Sequence, residues 1–158
     1  MYIVSACLAG FKTRYDGTDC LDERVRNLVL AGKAIPVCPE QLGGLSIPRE
    51  PVEFAFGDGK DALAGKPGVI RLRNIPEAGS QPYAQALLKG AQEVLRIARL
   101  YGAAEAILKD GSPSCGTGYV HSGGRKISGT GVTAELLLRE GIIPLPLEPQ
   151  PHPENKNT

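Results

Sequence analysis

The chain has 158 residues, 42% hydrophobic and 22% charged, with a formal net charge of +1; this is the balance of one ordinary globular domain and excludes a disordered or coiled-coil chain. Its 18 basic residues face 17 acidic ones, so there is no cationic surplus to displace counterions from a nucleic-acid backbone, and no such partner is expected. No apolar run approaches the roughly 18 residues of a membrane span, and the apolar start lacks the basic region and cleavage site of a signal peptide, which predicts a cytoplasmic protein with reduced cysteines.

The first apolar run, Tyr2 to Ala6, predicts a buried parallel strand running into Cys7-Leu8-Ala9-Gly10. After a polar loop, Val25, Leu28 and Val29 fall at helical spacing, which places a helix from about Leu21 to Leu30 with Gly32 as its stop. Ala34-Ile35-Pro36-Val37 reads as a second strand, Pro36 marking it as an edge or an end, and it leads into Cys38-Pro39-Glu40. From Gln41 to Pro82 the chain is rich in Gly and Pro and reads as a long excursion with one weak strand, Val69 to Leu72. Ala84, Leu87, Leu88, Ala91, Leu95, Ala98 and Tyr101 then trace one face of a long helix closed by Gly102. Glu105 to Leu108 forms a third strand, a Gly- and Ser-rich stretch runs to Gly131, a short helix spans Val132 to Arg139, and Ile142 to Leu147 supplies the last strand. Residues 148–158 carry no apolar period and read as a disordered tail after a domain of residues 1–147.

This alternation predicts an α/β fold: one domain with an open, mainly parallel sheet flanked by helices. Ligands of such sheets sit beyond the carboxyl ends of the strands, where the strand order switches direction.

Three of the four cysteines, Cys7, Cys38 and Cys115, each follow a short strand. Parallel neighbouring strands would project all three thiols into one crevice. Cys20, in a polar loop before a helix, breaks the pattern and is read as a bystander. Three converging thiolates suit a zinc ion with a fourth ligand, an iron–sulfur cluster with one iron open, or simple packing. Neither His121, in a Gly-rich loop, nor His152, in the tail, is a convincing fourth zinc ligand.

Glu40 lies two residues past Cys38, with Pro39 stiffening the turn, so its carboxylate is a candidate general acid/base beside the thiols. In Ser112-Pro113-Ser114-Cys115-Gly116 either hydroxyl could donate a proton or hydrogen bond to a ligand. Gly129-Thr130-Gly131-Val132-Thr133-Ala134 has the GxGxxA form but does not follow a buried strand, so it reads as a helix start, capped by Thr130 or Thr133, whose free amides could hold an anion. No GxxxxGK phosphate loop occurs. Arg14, Asp16 and Arg49 are loop charges, either solvated or lining the crevice.

Val4-Ser5-Ala6-Cys7-Leu8, Arg14-Tyr15-Asp16-Gly17, Pro36-Val37-Cys38-Pro39-Glu40 with Gly43-Gly44-Leu45, Pro48-Arg49, and Ile107-Leu108-Lys109 with Ser112-Pro113-Ser114-Cys115-Gly116 occur in that order. Together they closely resemble the thiouracil desulfidase family over nearly the whole chain to about Ile143. Asn74 to Gln85 departs from the Asp-Val-Thr stretch usual there. The resemblance implies a Rossmann-like α/β domain and a [4Fe-4S] cluster held by three cysteines, which map to Cys7, Cys38 and Cys115. It implies a catalytic acidic residue and serine, mapping to Glu40 and Ser112. The implied reaction is non-redox removal of sulfur from a small thiolated pyrimidine base, giving the oxo base and sulfide without a redox partner. Two rivals share the cysteines: desulfuration of a thiolated nucleoside or tRNA, and a small-molecule binding module built on structural zinc.

Overall fold

The structure, a computed structural model, describes residues 1–73 and 75–147; the expected tail lies outside them. Four strands, β1 (Tyr2–Ser5), β2 (Ala34–Val37), β5 (Glu105–Ile107) and β8 (Ile143–Leu145), form an all-parallel sheet in the order β2-β1-β5-β8. Tyr2 pairs with Ala34 on one side and Glu105 on the other, and Glu105 pairs with Ile143. β2 is an edge strand, the place where Pro36 and its missing N–H are tolerated. The chain leaves β1 toward β2 and later returns to β1's other side as β5. The order therefore switches at β1, and a crevice opens beyond the strand ends.

Both faces of this sheet are covered, as a parallel sheet requires. On one face Val4, Leu8 and Ala34 pack with Val25 of α1 (Glu23–Leu30), whose first turn is capped by the Asp22 carboxylate accepting the Arg24 N–H. On the other, Ile3, Val37 and Ala106 join Leu87, Ala91, Val94 and Ala98 of the long helix α4 (Glu77–Leu100) and Val132, Ala134 and Leu137 of α5 (Val132–Arg139). Burying apolar surface of this kind contributes about 25 cal/mol per Å².

The stretch read as an excursion is ordered. It contributes α2 (Pro39–Leu42), β3 (Val52–Phe54), α3 (Gly59–Leu63) and β4 (Ile70–Leu72). β3 and β4 are antiparallel; β3 also meets β6 (Tyr119–Ser122), which turns through Gly123-Gly124 into β7 (Arg125–Ser128), completing a second sheet in the order β4-β3-β6-β7. Both turn glycines have positive φ, 59° and 78°, as a two-residue hairpin of primed type needs. Phe54, Val120, Val69 and Leu72 carry the second sheet into the same core as α4.

The long helix also begins earlier than its apolar stripe suggests, at Glu77, so that Pro82 lies inside it. The first turn is anchored from outside, where the Ser80 hydroxyl accepts the backbone N–H of Leu72 at 3.0 Å, which helps the helix survive the hydrogen bond lost at Pro82.

Candidate active site

Three strand ends of the parallel sheet meet at one cavity of about 300 Å³. Ser5, Ala6 and Cys7 line it from the end of β1, Cys38, Pro39 and Glu40 from the end of β2, and Lys109 through Pro113 with Cys115 from the loop after β5. All three cysteines predicted to converge therefore do so, with Glu40 and Ser112 beside them. All four cysteines are free thiols. Cys20 does not line the cavity; its N–H donates to the Cys7 carbonyl at 3.0 Å and its side chain packs behind Cys7 in a separate depression with Leu8 and Leu21.

Each element that presents a site residue is pinned. The strand β1 runs into a 3-10 turn, Ala6–Ala9, whose carbonyls are capped by Gly10 in the left-handed region. Glu40 sits in the first turn of α2, which is only four residues long. That turn is pressed against α4 at two glycines: a Cβ on Gly90 would lie 1.8 Å from the Pro39 carbonyl oxygen, and one on Gly43 would lie 2.0 Å from that of Ala86. No side chain fits at either point.

The loop after β5 is tied by Asp110, whose Oδ1 accepts the N–H groups of Thr117 at 2.8 Å, Gly118 at 2.9 Å and Tyr119 at 3.3 Å. Burial pushes this carboxyl up, but the backbone donors outweigh it and hold the group below the ordinary aspartate value. The far side of the loop rests on α5. The N–H groups of Val132 and Thr133 donate to the Pro113 and Ser114 carbonyls, both at 2.8 Å. The helix start is capped by the loop's carbonyls, and neither Thr130 nor Thr133 caps it through a side chain. The expectation of amides free for an anion is thereby corrected, since they are spent on the loop that carries Cys115.

Glu40 is held at both oxygens. Its Oε1 accepts Arg49 Nε at 3.1 Å and its Oε2 accepts the Ser114 hydroxyl at 3.2 Å. Ser112 is held differently. Its Oγ accepts two backbone N–H groups, from Ser114 at 3.1 Å and Cys115 at 3.2 Å. A hydroxyl has two lone pairs and one proton, so Ser112 is left with only its proton to offer to a molecule in the cavity.

The thiols are close enough to feel one another. Burial first, then the neighbouring Cys20 and Cys38 thiols, push Cys7 up to about 12, against the opposing charges of Lys109 and Arg14. Burial likewise pushes Cys115 up, a hydrogen bond from Ser5 opposes it, and Cys7, Cys38 and Glu40 push it further. Such thiols stay protonated until a cationic centre takes the place of their protons. Among the described residues no three His, Cys, Asp or Glu side chains are gathered tightly enough to hold a single metal ion. Cys7, Cys38 and Cys115 all line the one cavity, and soft thiolates are the donor set that iron–sulfur clusters take.

The family model for 2-thiouracil desulfurase matches residues 2–148. The chain belongs to this family. The chain is 41% identical over 144 residues to the uncharacterized protein YbbK of Bacillus subtilis (strain 168), covering 89% of this chain and 91% of that one. It also superimposes on the solved structure of the [4Fe-4S]-dependent thiouracil desulfidase TudS, with a TM-score of 0.75, 32% identity, and 92% and 89% of the two chains covered. The family resemblance, the α/β fold and the enzymatic character expected from the sequence are borne out.

Of the loop charges left open, Arg14 and Arg49 line the cavity; Asp16 does not, and accepts the Thr18 N–H and hydroxyl instead. His121 lies on β6 at the cavity and not in a loop, edge-on to Tyr119 with ring centroids 6.0 Å apart. Sequence reasoning assigned no role to Arg49. Pro48-Arg49 belongs to the motif set of the resemblance, but nothing local says what Arg49 touches, and only the fold brings it to Glu40.

Proposed function

We propose that this enzyme removes sulfur hydrolytically from a thiouracil-like base, with Cys7, Cys38 and Cys115 holding a [4Fe-4S] cluster and Glu40 and Ser112 acting on the substrate. What carries the reading is the convergence of three thiols, a fixed carboxylate and a hydroxyl with a free proton on one cavity of about 300 Å³, in a chain of this family. TudS, whose fold it shares, is [4Fe-4S]-dependent.

When bound, the cluster supplies an iron without a protein ligand, a Lewis acid with affinity for the thiocarbonyl sulfur. The remaining work falls to the chain. The Glu40 carboxylate, fixed by Arg49 and Ser114, takes a proton from the attacking water and returns it as sulfur departs. Ser112 donates its free proton in a hydrogen bond to the base, orienting the ring and countering the charge that develops as water adds. Pro39 and Pro113, each next in the chain to one of these groups, fix the backbone there. Water's oxygen replaces sulfur on the same carbon, so thiobase and water become oxo base and hydrogen sulfide. No electrons are exchanged, and no reductase is required. The reduced thiols this demands place the reaction in the cytoplasm.

Anaerobically reconstituted enzyme incubated with 2-thiouracil, without any reductant, should release uracil and sulfide in equal amounts. Turnover that needs an electron donor, or none with the cluster in place, would contradict the proposal.

A further inference from the structure

Arg49 is a buried charge that the chemistry above uses only as an anchor for Glu40. Its side chain is 5% exposed, and a guanidinium taken from water at such cost persists only where its donors find acceptors. Three stretches of chain supply them. Nε donates to Glu40 Oε1 at 3.1 Å, Nη2 to the Thr13 carbonyl at 2.9 Å and Nη1 to the Ser46 carbonyl at 3.3 Å, while the Arg49 N–H donates to the Tyr15 carbonyl at 2.9 Å. The Thr13 carbonyl lies within reach of the Cys38 thiol as well, at 3.8 Å. One planar fork thus joins the Thr13–Tyr15 loop to the Cys38-Pro39-Glu40 turn.

We infer that Arg49 is a positioning residue that fixes the rotation of the Glu40 carboxylate, and thereby the rate of carbon–sulfur cleavage; the assignment rests on the desulfidase reading of the cavity. With Oε1 locked on the guanidinium and Oε2 on the Ser114 hydroxyl, the carboxylate plane cannot turn without breaking one of two bonds. The fork is what does this. A lysine ammonium is a point donor without the planar array, and cannot reproduce three directed bonds to separate stretches. A residue that only filled space would not set its Nε against the carboxylate assigned to proton transfer.

The test is a cycle of variants in cluster-loaded enzyme: Arg49→Ala and Arg49→Lys, each alone and combined with Glu40→Gln. Iron content and circular dichroism are recorded for each, and sulfide release from 2-thiouracil is followed under both steady-state and single-turnover conditions. In the otherwise native enzyme, Arg49→Ala should lower kcat by about 10²-fold and Arg49→Lys by about tenfold, with KM within about threefold of wild type. Added guanidinium should restore part of the Arg49→Ala rate, and methylammonium should not. In the Glu40→Gln background the same substitutions should change the rate by less than about threefold, because the carboxylate through which Arg49 acts is already gone. Equal losses in both backgrounds, a wild-type rate in Arg49→Lys, or losses that merely track iron content would overturn the assignment. If Arg49→Ala does not fold, the Arg49→Lys pair alone completes the cycle. Wild-type enzyme that releases no sulfide would instead remove the desulfidase reading itself.

Discussion

At the scale of single residues, the site works by using up hydrogen-bonding capacity until one direction remains. Ser112 has both lone pairs committed to the amides of Ser114 and Cys115, which leaves a donor, and Glu40 has one oxygen on Arg49 and the other on Ser114. The positions of Cys7, Cys38, Cys115, Glu40 and Ser112 on one cavity were legible from strand ends and motif order; their roles are the proposal above. The residues that hold them were not legible, because Arg49 and Ser114 reach Glu40 across loops whose paths no local pattern encodes. Asp110 shows the same economy and gives a pH prediction. Its carboxyl is held below the usual 3.8 by backbone donors, so the charged form is favoured in the folded chain. The stability it contributes is complete above the unfolded value and is lost as pH falls through the lower folded one. Urea unfolding of wild type and Asp110→Asn should therefore show a gap at pH 7 that closes below about pH 4. A gap constant down to pH 3 would mean that the loss does not come from the carboxylate's charge.

At the scale of elements, what the sequence reveals depends on length and on two-sided burial. β1, β2 and α5 were each readable, as was the body of α4, because a run of four or more apolar residues or a sustained 3.6-residue stripe announces itself. β4 was legible only as a weak strand over Val69 to Leu72, β3 with its three residues is too short for a period, and β7 is an exposed edge strand with only Ile127 half-buried. Their evidence was instead in the turns: Gly123-Gly124 between two short polar-apolar runs is a hairpin cue. The start of α4 was hidden by Pro82, whose cost is partly offset by Ser80 holding the first turn to β4. The close approach of α2 to α4 has the sharpest consequence. Gly90→Ala drives a methyl into the Pro39 carbonyl and should lower stability by about 1–3 kcal/mol in urea unfolding, as overpacking does. Because the displaced turn carries Glu40, the rate of sulfide release should fall at least tenfold in the surviving folded fraction, a loss of the size that small misplacements bring. Wild-type stability and rate in this variant would show that the helices part without moving the carboxylate.

At the scale of the molecule, the parallel sheet acts as a gathering device. Residues 7, 38 and 115 are distant along the chain, and the switch of strand order at β1 brings the ends of β1, β2 and β5 to one rim. The second sheet closes the remaining side through Val52, Tyr119 and His121. Among the described residues no helix is long and apolar enough to cross a membrane. The central claim is that these three cysteines, and not Cys20, hold the iron–sulfur cluster. Iron and acid-labile sulfide should therefore be measured in anaerobically reconstituted wild type and in Cys7→Ser, Cys20→Ser, Cys38→Ser and Cys115→Ser. The account predicts about four of each per chain in wild type and Cys20→Ser, with marked loss in the other three; zinc in place of iron, or loss with Cys20→Ser alone, would contradict it.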